Sequence, residues 1–109
     1  MTSSAGFRER RIVINISGSI YETWTRTLAR YPETLLGDQT KCNQFFCPKR
    51  NEYFFNRHRK AFDSILFFYQ SNGTLRRPRD IDLGIFIAEC KFFQIPDWAI
   101  NFMKVKGNH

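Results

Sequence analysis

The sequence predicts an α+β domain, and three observations carry that prediction. Strand-like alternation comes first, helical periodicity comes later, and the two are separated by turn residues. Residues 11–16 set Ile12, Ile14 and Ile16 on one side and Val13 on the other, which is a strand. Ser17-Gly18 is a turn, and residues 20–25 return as a second strand, closing a hairpin. Thr25 or Thr27 can cap a short helix that ends at Tyr31, because Pro32 disfavours helical backbone before it. Residues 33–38, with Gly37, form a connection.

A second hairpin is expected from Phe45-Phe46 and residues 51–55, with the turn at 48–51. Tyr53 and Phe55 share one side of that strand and Phe54 takes the other. Asn56 is placed to cap the main helix, expected over 57–70. Phe62, Ile65, Leu66 and Tyr69 fall at i, i+3, i+4 and i+7, one apolar stripe. Asn72-Gly73 stops the helix, since both tolerate positive φ, and Pro78 prevents early resumption. Leu83, Phe86, Ile87 and Cys90 repeat the same spacing, so a second helix is expected over 82–93 despite Gly84. Pro96 suits a helix first turn, with Trp98, Ile100 and Phe102 beyond it. The expected division is a flexible tail at 1–10, one domain at 11–105 and a C-terminal tail at 106–109.

A chain of 109 residues suits a single core. Hydrophobic content of 42% excludes a disordered body, and 12 Phe imply large rings in the core or in a protein contact. No apolar run approaches the roughly 18 residues needed to cross a bilayer. The start, MTSSAGFRERR, lacks the apolar centre of a signal peptide, so a soluble domain is expected. Three cysteines, an odd number, argue against a disulfide framework and for a reducing compartment. The formal charge of +7 is spread over 8–11, 49–50, 57–60 and 76–79. With no zinc-finger or RNA-recognition spacing beside them, these charges read as solvated faces and intersubunit ion pairs, not as a nucleic-acid site.

Enzyme chemistry lacks its parts. There is no nucleophile elbow, no phosphate loop and no His-Glu metal motif. Of the two histidines, His109 is terminal and His58 sits among Arg57, Arg59 and Lys60, as a surface residue. Cys42 and Cys47 have four residues between them, unlike the two of a zinc ribbon, and no nearby His completes a set. Cys90 lies on a helix stripe as a small core residue.

Two blocks resemble the cytoplasmic tetramerisation domain of Shaker-type voltage-gated potassium channels, within the BTB/POZ superfamily. The first is NISGSIYETWTRTLARYPETLLGD, from Asn15 to Asp38. It follows the family's Asn-x-Ser-Gly-x-x-Phe-Glu-Thr, then Thr-Leu, then Pro-x-Thr-Leu-Leu-Gly. The second is NEYFFNRHRKAFDSILFFYQSNGTLRRP, from Asn51 to Pro78. The similarity runs from Arg11 to Phe93, and Phe68-Tyr69-Gln70-Ser71 with Arg76-Arg77-Pro78 look like the Shaker subfamily.

The resemblance implies a BTB/POZ-like fold of N-terminal hairpins packed with C-terminal helices. It implies a four-fold ring on the cytoplasmic face of the plasma membrane, as a homotetramer or as a heterotetramer with related Shaker-type subunits. Polar faces keep a free subunit soluble and allow rejection of wrong partners. By resemblance, Glu22, Thr23, Asn51, Asn56, Arg59 and Asp63 lie near the subunit contact. No catalytic residue and no cofactor are implied, and the membrane is met only through the rest of a channel.

There are departures. The family usually has Asp at Asn56, Pro at Lys60 and Phe at Tyr21. Asn56 keeps a capping oxygen without the charge, which weakens any ion pair to a neutral hydrogen bond. After Phe93, Shaker members show an acidic stretch with a Phe-Arg-Glu-like segment tied to docking of an auxiliary β-subunit. Here the chain reads Phe102-Met103-Lys104-Val105-Lys106, which puts that docking in doubt. Shab-, Shaw- and Shal-type relatives hold an intersubunit zinc with one His and three Cys. Arg76 and Asp82 stand where the His and the first Cys would fall, and the terminal Cys pair is missing, so no metal is expected. The alternative reading is a soluble adaptor that recruits cullin ubiquitin ligases through a related domain. The Tyr-Gln-Ser and Arg-Arg-Pro runs favour the channel type.

Overall fold

The structure, a computed structural model, describes residues 9–106. The expected tails at 1–10 and 106–109 therefore lie largely outside the described residues. In chain order the elements are β1 (Arg11–Ile16), β2 (Ser19–Trp24), α1 (Thr25–Leu28), α2 (Gln39–Asn43), β3 (Phe46–Cys47) and β4 (Glu52–Phe55), then α3 (Arg59–Gln70), α4 (Leu83–Phe92) and α5 (Asp97–Lys106). The class is α+β, with the strands first and the long helices after them.

Both expected hairpins form, and they join into one sheet of order β2-β1-β4-β3. The outer pairs are antiparallel, and β1 pairs with β4 in parallel. The β1–β2 turn holds Ser17 at φ 49 and Gly18 at φ 104, the positive-φ pair that a two-residue hairpin with native twist requires. Ser17 keeps this uncommon backbone because the fold around it uses both its polar groups. Its N–H donates to Phe55 O at 2.9 Å and its hydroxyl to Arg57 O at 2.8 Å.

One face of the sheet makes the core. Ile12, Ile14 and Ile16 meet Tyr53 and Phe55 there, all buried. The α3 stripe of Phe62, Ile65, Leu66 and Tyr69 is buried against it, joined by Phe68. Rings link the layers: Tyr21 to Phe62 at 4.9 Å, Phe62 to Phe93 at 5.2 Å and Phe55 to Phe93 at 5.2 Å between centroids. Tyr69 donates its hydroxyl proton to Thr34 Oγ1 at 2.6 Å, which satisfies both groups inside the core.

Asn72 and Gly73, at φ 61 and 112, end α3 as expected, and Gly73 N–H returns to Phe68 O at 2.8 Å. A Cβ at Gly73 would stand 2.9 Å from Tyr31 Oη, so the position needs glycine for space as well as for φ.

Four local expectations are corrected. The α3 cap is His58, whose Nδ1 accepts from Ala61 N–H at 3.2 Å, and the helix starts at Arg59. Asn56 lies outside the helix, where its Oδ1 approaches Ser17 Oγ at 3.2 Å. The first short helix ends at Leu28, and Trp24 precedes it without a capping bond. Thr25 is instead its first residue, with Oγ1 accepting from Arg10 N–H at 3.0 Å. A short helix unforeseen in the connection, α2, is capped by Asp38, whose Oδ1 accepts from Thr40 and Lys41 N–H. Finally, α4 buries Phe86, Glu89 and Cys90, while Leu83 stays outside. The helix is turned so that Glu89 meets Arg57, a partner no local pattern announces.

Phe62→Ala should cost about 3–5 kcal/mol in urea unfolding, as expected for a buried ring. Phe67→Ala, on the exposed side of the same helix, should stay within about 0.5 kcal/mol. Equal losses would show that the inward stripe is misassigned.

Candidate functional site

The β1–β2 turn and the start of α3 build a polar junction. Arg59 donates from Nε and Nη2 to Ser17 O at 2.9 and 2.6 Å and so clamps the turn. Tyr21 donates its hydroxyl proton to Asp63 Oδ1 at 2.7 Å. Burial first, then this bond to the Asp63 carboxylate, pushes the Tyr21 phenol up to about 12. Arg59 and Asp63 thus line one shallow concavity with Ser17, Ser19, His58 and Lys60, and Asn56 borders it through Ser17. Lys60 Nζ reaches Asp80 Oδ2 at 2.6 Å, and their mutual hydrogen bond raises the amine and lowers the carboxyl. Both side chains are largely exposed, at 64% each.

The other three expected site residues lie elsewhere. Glu22 is on β2, opposite Val13, on the sheet face away from the core, with Arg11 Nη1 at 3.5 Å. Thr23 pairs with Ile12, turns to the core side and is only 5% exposed. Asn51, at φ 54, is exposed in the β3–β4 turn. Glu22 lies on the edge strand β2, and Asn51 in the turn that enters the inner strand β4, where it shares a concavity with Arg11 and Val13. The six residues do not form one patch.

Sequence reasoning missed what surrounds them. The outer face of the sheet carries Ile20, Trp24 and Phe54, which are 54%, 47% and 43% exposed. Period two on β2 was the available signal, since Ile20 and Trp24 alternate with Tyr21 and Thr23. At the centre of this face Asn15 Nδ2 donates to Glu52 Oε2 at 2.8 Å, and both side chains are buried. Arg57 grips Glu89 with two bonds, at 3.1 and 2.6 Å, and its guanidinium carbon lies 4.1 Å from the Phe92 ring centroid.

The BTB/POZ domain family profile matches residues 12–103. The chain belongs to the BTB/POZ domain family.

Within that family it is similar to Shaker-type subunits. It is 54% identical over 94 residues to the Shaker-related potassium channel tsha2 of Oncorhynchus mykiss, covering 86% of this chain and 20% of that protein. It is 56% identical over 90 residues to potassium voltage-gated channel subfamily A member 6 of Rattus norvegicus, covering 83% and 17%. For subfamily A member 4 of Homo sapiens the identity is 53% over 90 residues, covering 83% and 14%. The chain spans a fifth or less of the length of these relatives.

In this BTB/POZ domain the thiols are free. Burial pushes Cys42 and Cys90 up to about 12, which keeps both as neutral, packed groups. Among the described residues no group of three or more His, Cys, Asp or Glu is placed to hold a metal ion. No described helix is long and apolar enough to cross a membrane.

The burial of Tyr21 and its bond to Asp63 have a spectroscopic consequence. Tyr21 in the folded domain ionises near 12 instead of 10.0. Because the folded value is the higher one, its stabilisation is fully present below about pH 10 and is lost as pH rises toward 12. Absorbance titration of tyrosinate, wild type minus Tyr21→Phe, should isolate a step near pH 12. A step near pH 10 would mean that neither the burial of Tyr21 nor its bond to Asp63 persists in solution.

Proposed function

We propose that this domain tetramerises the subunits of a Shaker-type voltage-gated potassium channel. The observation that carries the reading is the similarity to several Shaker-type subunits along most of this chain. The assembling unit is residues 11–105, between flanks at 1–10 and 106–109. It works without catalysis, cofactor or zinc, and binds no nucleic acid. The domain sits at the cytoplasmic face of the plasma membrane and meets the membrane only through the rest of the channel.

The contact is a closed, head-to-tail one in which each protomer offers two different patches. Glu22, Thr23, Asn51, Asn56, Arg59 and Asp63 belong to it. Two features support this division. Asn56, Arg59 and Asp63 lie around the β1–β2 turn, while Glu22 on β2 and Asn51 before β4 both neighbour Arg11 at the other end of the strands. Thr23, being buried within a protomer, would act by setting the shape of β2. The open sheet face adds three large apolar side chains among polar ones, the composition of a partly wet contact. The partners are identical chains or related Shaker-type subunits. Docking of an auxiliary β-subunit is not part of the proposal, because 102–106 is basic where an acidic stretch is usual.

Light scattering over a dilution series should return four times the chain mass, unchanged by a chelator. A monomer or pentamer would overturn the channel reading, and a chelator-sensitive tetramer would overturn the zinc-free contact.

Asn56 is exposed and outside the helix, so Asn56→Asp should change unfolding free energy by no more than about 0.5 kcal/mol. It should nevertheless alter subunit exchange with a Shaker-type domain, since a restored charge acts mainly through its partner. Identical exchange for both variants would remove Asn56 from the contact.

A further inference from the structure

The last helix is apolar on two sides. Ala99, Ile100 and Met103 turn inward and are buried. Trp98, Phe102 and Val105 stand at i, i+4 and i+7, one outward stripe, and are 54%, 63% and 68% exposed. A surface helix ordinarily presents polar residues outward, so this stripe asks for a cover.

Beside it lies a groove of about 600 Å³, between α5, the start of α4 and residues 73–77. That size is within the range of built binding clefts, about 300–1,000 Å³. Leu83, Phe102 and Met103 give it an apolar surface. Arg76, Arg77, Lys104 and Lys106 supply four cations, and no acidic side chain lines it. Among the described residues none of the four is ion-paired. Arg77 spends one N–H on Ile81 O at 2.7 Å, and Lys106 Nζ lies 5.7 Å from the Phe102 ring centroid.

We propose that this groove docks an acidic amphipathic segment of a separate protein, with apolar side chains on Phe102 and Leu83 and carboxylates on the four cations. The chemistry selects this occupant. A free phosphate would satisfy the cations and leave the apolar surface wet. A bilayer could touch the outward stripe but could not follow a concave groove. A second copy of this chain, at net charge +7, would bring more positive charge to a positive site. A segment with apolar residues every three to four positions and Asp or Glu beside them matches both features, in the helix-in-groove manner. This goes beyond the assembly reading and does not depend on it, because one protomer holds the whole groove.

The test uses the 109-residue chain and a labelled helical peptide with Leu at i, i+3, i+4 and i+7 and Glu on its flanks, read by fluorescence anisotropy. Saturable binding is expected, weakened by added salt. Lys104→Glu with Lys106→Glu should weaken it about tenfold or more, and Phe102→Ser by a similar factor. All three positions are exposed, so circular dichroism should find the variants folded. A peptide with Lys for each Glu should not bind. Absence of saturable binding, or equal affinity in wild type and variants, would overturn the proposal. So would either of two results without peptide binding: sedimentation with phosphatidylserine vesicles that the charge variant abolishes, which means a membrane surface, or a fall in light-scattering mass in the variants, which means a second copy.

Discussion

The parallel pairing of β1 with β4 is the constraint on which the rest of the domain depends. Each hairpin closes locally, but neither can bury its apolar face alone. Ile14 opposite Tyr53 and Ile16 opposite Phe55 turn two hairpins into one sheet with a continuous core face. The joint is locked on the other face by Asn15. Its Nδ2 holds the buried Glu52 carboxylate, and its Oδ1 accepts from Gly18 N–H at 2.7 Å. A charge removed from water this way is tolerated only because it is hydrogen-bonded. One side chain therefore ties β1, β4 and the first turn together.

The sheet then decides where the helices go. Phe55 is the ring that Phe45, Phe92 and Phe93 gather around, and Phe62 of α3 meets Phe93 from above. Arg57, two residues past Phe55, reaches Glu89 and thereby sets the rotation of α4. With α4 and α5 packed on the core side, the outer sheet face and the outward stripe of α5 are left uncovered. They differ in character. The sheet face mixes Ile20, Trp24 and Phe54 with charges of both signs, which suits a partner of the same kind as itself. The α5 groove carries four cations and no acid, which suits an acidic partner.

Much of the fold was legible because its signals are local. The spacing of Phe62, Ile65, Leu66 and Tyr69 depends only on helical pitch, and the alternation of Ile12, Ile14 and Ile16 only on the pleat. Asn72-Gly73 stops a helix whatever surrounds it. The errors share a different origin. Asn56 is the better cap by preference, yet the fold uses it beside Ser17 and leaves the cap to His58. Phe86 and Cys90 of the expected α4 stripe are buried and Ile87 packs on the core, but Leu83 at the helix start stays exposed. Glu89 is buried as well, held by Arg57, 32 residues away in sequence. The candidate site was legible in the same uneven way. Resemblance picked out Asn56, Arg59 and Asp63, and the fold sets all three near the β1–β2 turn, which their positions in the sequence do not announce. Tyr21, which ties Asp63 to the sheet, had no pattern of its own.

The sequence by itself determined the class, the two hairpins, the inward faces of β1 and α3 and the stop after Ser71. Those are consequences of backbone geometry and of side-chain periodicity, and they need no distant partner. Only the tertiary structure decided the strand order, the rotation of α4, the burial of Thr23 and Glu52 and the meeting of α5 with residues 73–77. Each of these depends on contacts between segments far apart along the chain. Such contacts follow from how the layers close on one another, and no local propensity encodes them.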